Sequence, residues 1–356
     1  LKALRAYPCF SNSISRESLA LYVRFNYVPA PYSIYQSIFK LEPGCLLSIS
    51  GEVTSAPDLP LRPPAVLGGL SLRRWWTLSE TVTAGAQNPI LDEAEAIYLL
   101  DQRLKDSLRL QSLADVPLGC FLSGGIDSST VAALMQQQSM HAIKTFTVGF
   151  DEVGFDESFH ARAVAQHLGT VHSEVMVTTT EAQAVIPQLP ILYDEPFADA
   201  SQIPTHLVCK MAREQVKVAL SGDAGDELFG GYQHYVRGAR IWANMRMLSF
   251  NSRKILGATV RAVPESAWNG MAEIANALLP NQRRFVRLGN KAHWVAERLL
   301  GDGSLGGLHK SIVSKWKNPA FIVKGANRQL VEPSSLLDDP LPKSGLEQPE
   351  LEMMYR

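Results

Sequence analysis

From residue 91 onward, apolar positions along the chain alternate between short continuous runs and spacings of three or four. Ala94, Ile97, Leu100, Leu104 and Leu108 predict a helix over about 91–110, with Asp92, Glu93 and Glu95 in its first turn and Arg109 near its end, as the helix dipole favours. An apolar run at 116–122 predicts a buried strand, followed by a glycine-rich turn and a helix over 130–138 with Val131, Leu134 and Met135 on one face. The alternation continues with a strand at 145–150, a helix at 156–168, a strand at 171–177, helices at 181–193 and 205–215, and a strand at 217–220. Such alternation predicts an α/β fold, a doubly wound parallel sheet with helices on both faces. After Tyr232 the strand signals fade into helices broken at Pro264, Pro280 and 301–307.

The first 50 residues show a helical pattern at 15–25 and a strand-like run at 45–49, too little for a separate domain. Between 55 and 72, Pro57, Pro60, Pro63, Pro64, Gly68 and Gly69 interrupt any regular ladder, so 55–90 is expected to be a linker. Trp75 and Trp76 are expected to pack at a domain boundary.

Composition narrows the classes. The 356 residues, 46% of them hydrophobic, can bury a sizeable core, and 34 basic against 35 acidic side chains give no global field toward nucleic acid or an anionic membrane. Arginines at 237, 240, 246, 253, 283, 284 and 287 read as ordinary solvated helix faces. The four cysteines are widely spaced and no apolar run spans a bilayer, so a reduced, cytoplasmic protein is expected. His160, His167 and His172 form no metal-ligand pattern with acids and are expected to have core or surface roles.

The chemistry concentrates in two loops. Residues 123–129 read Ser-Gly-Gly-Ile-Asp-Ser-Ser between a strand and a helix. Gly124 and Gly125 let backbone N–H groups approach an oxyanion; Ser123, Ser128 and Ser129 add hydroxyls, and the helix adds its positive end. No lysine follows, so this is not a Walker A loop, and the Gly-x-Gly-x-x-Gly pattern is absent as well. Asp127 would repel phosphate unless a cation intervenes, and Mg2+ suits a carboxylate plus phosphate oxygens. A purely structural role would make Ser128 a helix cap and Asp127 a first-turn acid, leaving the glycines and the other serines without a reason. The second loop, 221–232, follows the strand at 217–220 and supplies Asp223, Asp226 and Glu227 among small residues, with Asp226 the expected second magnesium ligand.

At these loops the chain resembles the asparagine synthetase B family, glutamine-hydrolysing enzymes that make asparagine from aspartate, ATP and glutamine. The likeness covers 115–129, the strand Thr145-Phe-Thr-Val-Gly-Phe150, His167-Leu-Gly-Thr-Val-His172 and 221–232. It implies a sheet of the ATP-pyrophosphatase (adenine nucleotide α-hydrolase-like) type with a helical C-terminal extension. It further implies that 1–54 is the end of an α+β glutamine amidotransferase domain and 91–356 an incomplete synthetase domain, the chain being a fragment of a longer protein. Position by position, Leu122 and Val148 should contact adenosine, and Ser221 and Gly222 should complete the ATP site. Ser123, Gly124, Gly125, Ser128 and Ser129 should hold pyrophosphate, with Asp127 and Asp226 on magnesium. Asp223 stands where the family more often has glutamate, at a position tied to forming the acyl-adenylate. Cys9 and Cys45 do not replace the family's terminal cysteine nucleophile, which would lie before Leu1.

The implied partners are small molecules, namely ATP, aspartate or a similar acid, and glutamine or ammonia, with no nucleic acid, no membrane and a homodimer as the candidate assembly. Three readings stand: asparagine synthase, a relative amidating another carboxylate such as a uronic acid of a surface polysaccharide, and a nucleotide-binding module without turnover.

Overall fold

The computed structural model describes residues 1–10, 13–151, 156–277, 280, 284–301, 303–327 and 354. Helix α1 (Arg16–Phe25) is capped by the Ser15 hydroxyl, which accepts from the Ser18 N–H at 3.1 Å, and ends at Asn26 in the left-handed region with φ 67°. Strand β1 (Cys45–Ile49) then joins β2 (Ala65–Leu67) and β3 (Leu70–Arg74) in an antiparallel sheet of order β1-β3-β2. Helix α2 (Leu78–Gln87) follows.

The segment 55–90, expected as a linker, therefore holds two strands and a helix. Gly68 and Gly69, at φ 49° and 87°, close a two-residue hairpin between Ala65–Leu67 and Leu70–Arg74, a turn signal obscured by the prolines before it. Trp75 and Trp76 remain 66% and 42% exposed rather than buried at a boundary.

The main body begins with α3 (Glu93–Gln111), capped by Asp92, whose carboxylate accepts from the Glu95 N–H at 2.7 Å. Its apolar stripe is covered only near its end: Leu108 is buried, while Ile97 is 62% exposed. Strand β4 (Leu118–Phe121), α4 (Ile126–Gln138), β5 (Lys144–Phe150), α5 (Ser158–Leu168) and β6 (Val171–Val177) follow as two strand-helix-strand units. The expected helix over 181–193 is broken at Pro187 and Pro190 into α6 (Thr179–Val185), a 3-10 turn and α7 (Leu189–Leu192). Helix α8 (Gln202–Ala212) leads back to β7 (Val218–Leu220).

The four strands are parallel in the order β6-β5-β4-β7. On one face Leu108, Ala132, Met135, Ala161 and Ala165 from α3, α4 and α5 pack with Cys120 and Leu122; on the other, Phe146 packs with Ala212 and Val216 behind α8. This is the doubly wound arrangement expected from the sequence. Gly119 permits the tight fit, since a Cβ there would stand 2.6 Å from the Phe146 ring. Beyond β7 come the short α9 (Gly225–Phe229) and the helices α10 (Gln233–Arg246), α11 (Phe250–Ala262), α12 (Glu265–Asn276), α13 (Leu288–Leu299) and α14 (Leu305–Val313).

The order fixes where a ligand can go. From β4 the chain runs outward to β5 and β6, then crosses back to place β7 on the other side of β4. The loops after β4 and β7 thus leave neighbouring strand ends at the point of reversal, where open α/β sheets leave a crevice.

Candidate active site

The first loop is bent by glycine and shaped by its own serines. Gly124 has φ 80°, and a Cβ there would lie 2.6 Å from the Ala161 nitrogen, so the loop presses on the first turns of α5. The Ser128 hydroxyl accepts from the Ser123 N–H at 3.1 Å, lies 2.9 Å from the Ser123 hydroxyl and donates to the Gly125 carbonyl at 3.3 Å. The Ser123 hydroxyl also accepts from the Gly125 N–H at 3.3 Å. Ser128, buried, therefore braces the loop from within, whereas the Ser129 hydroxyl is buried without a hydrogen-bond partner among the described residues.

Helix α4 starts at Ile126, four residues before the expected Thr130, because Gly125 already occupies the capping position in an extended conformation. Its first-turn N–H groups, those of Asp127 and Ser128 included, have no acceptor within the helix. That earlier start turns the loop's second half into a helix end.

Backbone contact locks the second loop onto this one. A Cβ at Gly222 would lie 2.6 Å from the Ser128 nitrogen, and one at Gly225 would lie 2.6 and 2.8 Å from the Asp127 carboxylate oxygens. Ala224 takes the left-handed conformation, φ 72°, that turns the chain between these contacts. The sequence marks these small residues as permitting close approach but carries no sign of what they approach, and so the part played by Gly225 was not legible there.

The carboxylates differ in their surroundings. Neither Asp127 nor Asp226, both half-buried, has a side-chain partner among the described residues, and they adjoin Gly225 from space and from sequence respectively. Two such oxygen donors fit a hard cation. Among the described residues no three His, Cys, Asp or Glu side chains form a metal-binding group. Asp223 is exposed and accepts from the Ser221 hydroxyl at 3.0 Å. It lies close enough to Cys209 of α8 to help burial, the larger cause, push that thiol above its usual range. Glu227 accepts from the Tyr232 hydroxyl at 2.7 Å, which, ahead of burial, pushes that phenol above its ordinary value.

Leu122 is 2% exposed, and its carbonyl accepts from the Thr147 hydroxyl while its N–H donates to the Phe146 carbonyl at 2.9 Å. Val148 is half-buried, two residues beyond Phe146 on the same face of β5. The structure thus brings Ser123, Gly124, Gly125, Asp127, Ser128 and Ser129 together with Gly222, and it places Leu122 and Val148 toward the same carboxyl end of the sheet. Of the histidines, His160 lies under Gly124, and His172 sits at the opposite end of the sheet with Nδ1 2.9 Å from the Thr145 hydroxyl.

A protein-family profile described as asparagine synthase matches residues 99–337. The chain is similar to the putative asparagine synthetase [glutamine-hydrolyzing] 2 of Methanocaldococcus jannaschii, 31% identical over 307 residues, covering 85% of this chain and 53% of that protein. It is 30% identical over 275 residues to the asparagine synthetase [glutamine-hydrolyzing] 1 of Bacillus subtilis, covering 77% and 39%. With the asparagine synthetase B [glutamine-hydrolyzing] of Escherichia coli the figures are 32% over 154 residues, 38% and 27%. The chain spans about half the length, or less, of these relatives.

Proposed function

The chain belongs to the asparagine synthase family, and on that premise we propose that its two interlocked loops bind ATP and cleave it to AMP and pyrophosphate to activate a carboxylate, in the leading case the side chain of aspartate. The carboxylate oxygen attacks the α-phosphorus, the bond to the bridging oxygen breaks, and an acyl-adenylate and pyrophosphate result. Ammonia then attacks the acyl carbon and AMP departs, leaving asparagine. Glutamine is the expected source of that ammonia, through the glutaminase domain of which 1–54 would be the end. Glu195 ties that segment to the sheet domain: it accepts from the Ile34 N–H at 2.7 Å and pairs with Lys40 at 2.7 Å.

Little covalent work falls to the protein, so positioning and charge carry the rate. The glycines at 124 and 125, the free N–H groups that open α4 and the partnerless Ser129 hydroxyl would hold the leaving pyrophosphate, with Ser123 and Ser128 shaping the cradle. Leu122 and Val148 would line the adenosine site, completed by Ser221 and Gly222, and Asp223 would stand by the acyl-adenylate. Asp127 and Asp226 would hold Mg2+, which when bound supplies positive charge to the phosphate oxygens. The observation that carries this reading is the contact of Gly222 and Gly225 with Ser128 and Asp127, which makes one site of two loops at neighbouring strand ends.

Supplied with ammonia, ATP and Mg2+, the protein should release pyrophosphate with aspartate well above the level with other acids. Equal or greater release with a uronic acid would replace aspartate as the acceptor, and no release with any acid would reduce the site to nucleotide binding. The uronic-acid reading has one observation in its favour: the uneven charge of the helical region after Tyr232.

A further inference from the structure

The net charge of −1 hides a division. Residues 233–327 hold fifteen lysines and arginines against four acids, Glu265, Glu273, Glu297 and Asp302. A basic region of this kind attracts anions locally even when the whole chain is nearly neutral.

Part of that charge converges on one place. Two hollows of about 500 and 760 Å3 share the side chain of Trp294 on α13. Arg237 and Arg240 of α10 line the first, Arg287 and Lys291 the second, and neither contains an aspartate or glutamate. The spacing of three puts Arg237 and Arg240 on one face of α10, while Arg287 caps α13 one turn before Lys291. All four cations are exposed, and none has an ion pair or side-chain hydrogen bond among the described residues. Trp294 is 39% exposed; the buried Arg298 guanidinium, 3.4 Å from the ring centroid, backs one side of the indole and leaves its exposed part to the hollows. Ile241, Val286 and Val295 supply apolar surface between the cations. The groove begins beside the candidate active site, because His234, which lines the first hollow, stacks on Tyr232 at the end of the 221–232 loop with ring centroids 5.2 Å apart.

We propose that this groove is a binding site for a carboxylated saccharide chain. Such a ligand alternates carboxylates, which a guanidinium grips with two parallel hydrogen bonds, with sugar rings whose C–H faces lie flat on an indole. Cations and apolar patches alternate here in the same way. Single-stranded nucleic acid would call for a series of aromatic platforms for its bases, and these hollows offer only Trp294 and a His234 ring already stacked on Tyr232 among their lining residues. The neighbouring site, on the reading above, acts on carboxylates, but binding in the groove needs neither ATP nor turnover.

The test is titration of the protein with tetragalacturonate, followed by tryptophan fluorescence and calorimetry without nucleotide. Saturable binding is expected that weakens about tenfold in Trp294→Ala and severalfold in Arg237→Gln and Arg287→Gln, with much of it kept in Trp294→Phe. Arg246→Gln, whose guanidinium instead covers Trp242, should bind as the parent does. The two glutamine variants alter exposed side chains, so a folding defect does not mimic their effect. No binding, equal binding of the same oligosaccharide with its carboxyls reduced to alcohols, tighter binding of an oligonucleotide of equal charge, or insensitivity to the Arg237 and Arg287 variants would each overturn the proposal. Pyrophosphate release, measured in parallel, reports separately on the carboxylate-activation reading.

Discussion

The two ends of the parallel sheet use polar groups in opposite ways. At the amino end, the fully buried Thr145 hydroxyl lies 2.8 Å from that of Thr170 and 2.9 Å from His172 Nδ1. Among the described residues His172 Nε2 has no hydrogen bond there, and it stands 3.9 Å from the Glu174 carboxylate. At the carboxyl end, Asp127, Asp226 and the Ser129 hydroxyl have no side-chain partner among the described residues, while backbones are held together by glycines. Burying polar groups costs free energy unless they are paired, so the fold satisfies them where they serve only itself and leaves them open where a ligand would complete them.

Substitutions at the two ends should therefore separate activity from stability. The largest effect is expected for Asp127→Ala, which should lower Mg2+-dependent pyrophosphate formation by at least about 100-fold while leaving the urea midpoint nearly unchanged; retained turnover would remove the metal role. Gly225→Val should come next, since its side chain would displace the Asp127 carboxylate, and a shift of about 1 Å costs on the order of 100-fold in rate. Turnover assays at saturating ATP measure it. The mirror image is Thr145→Val, which strips two buried hydrogen bonds and should cost about 1–3 kcal/mol in denaturant unfolding with ATP affinity unchanged. A loss of affinity there would break the contrast.

The smallest expected effect is on pH dependence. Burial, opposed by Glu174 and assisted by Arg162, holds the His172 pKa below its ordinary 6.5. The unfolded chain therefore binds the proton first, and stability complete above about pH 6.5 is lost as pH falls through the folded-state value. The urea midpoint should drop between about pH 7 and 5, less steeply in His172→Asn, with nucleotide affinity following neither curve.

Much of this was legible in the sequence, and the gaps have physical causes. The strands at 45–49 and 171–177 appear where the sequence places them, although only Cys45 and Val177 within them are buried. The hairpin at 65–74 was lost among prolines although Gly68 and Gly69 mark its turn. The 123–129 loop was legible because its composition is tied to local backbone conformation. The Gly225 contact with Asp127 was not, because it joins residues nearly a hundred positions apart and depends on β7 lying beside β4. Strand order is a tertiary fact, and periodicity carries none of it.

The central claim is that the carboxyl-end loops cleave ATP between its α- and β-phosphates by joining AMP to a carboxylate. The most direct test supplies aspartate labelled with oxygen-18 in its side-chain carboxylate, together with ATP, Mg2+ and ammonia, and follows the label by mass spectrometry. One labelled oxygen should appear in AMP for each amide formed. Label in inorganic phosphate, with ADP as the nucleotide product, would contradict it.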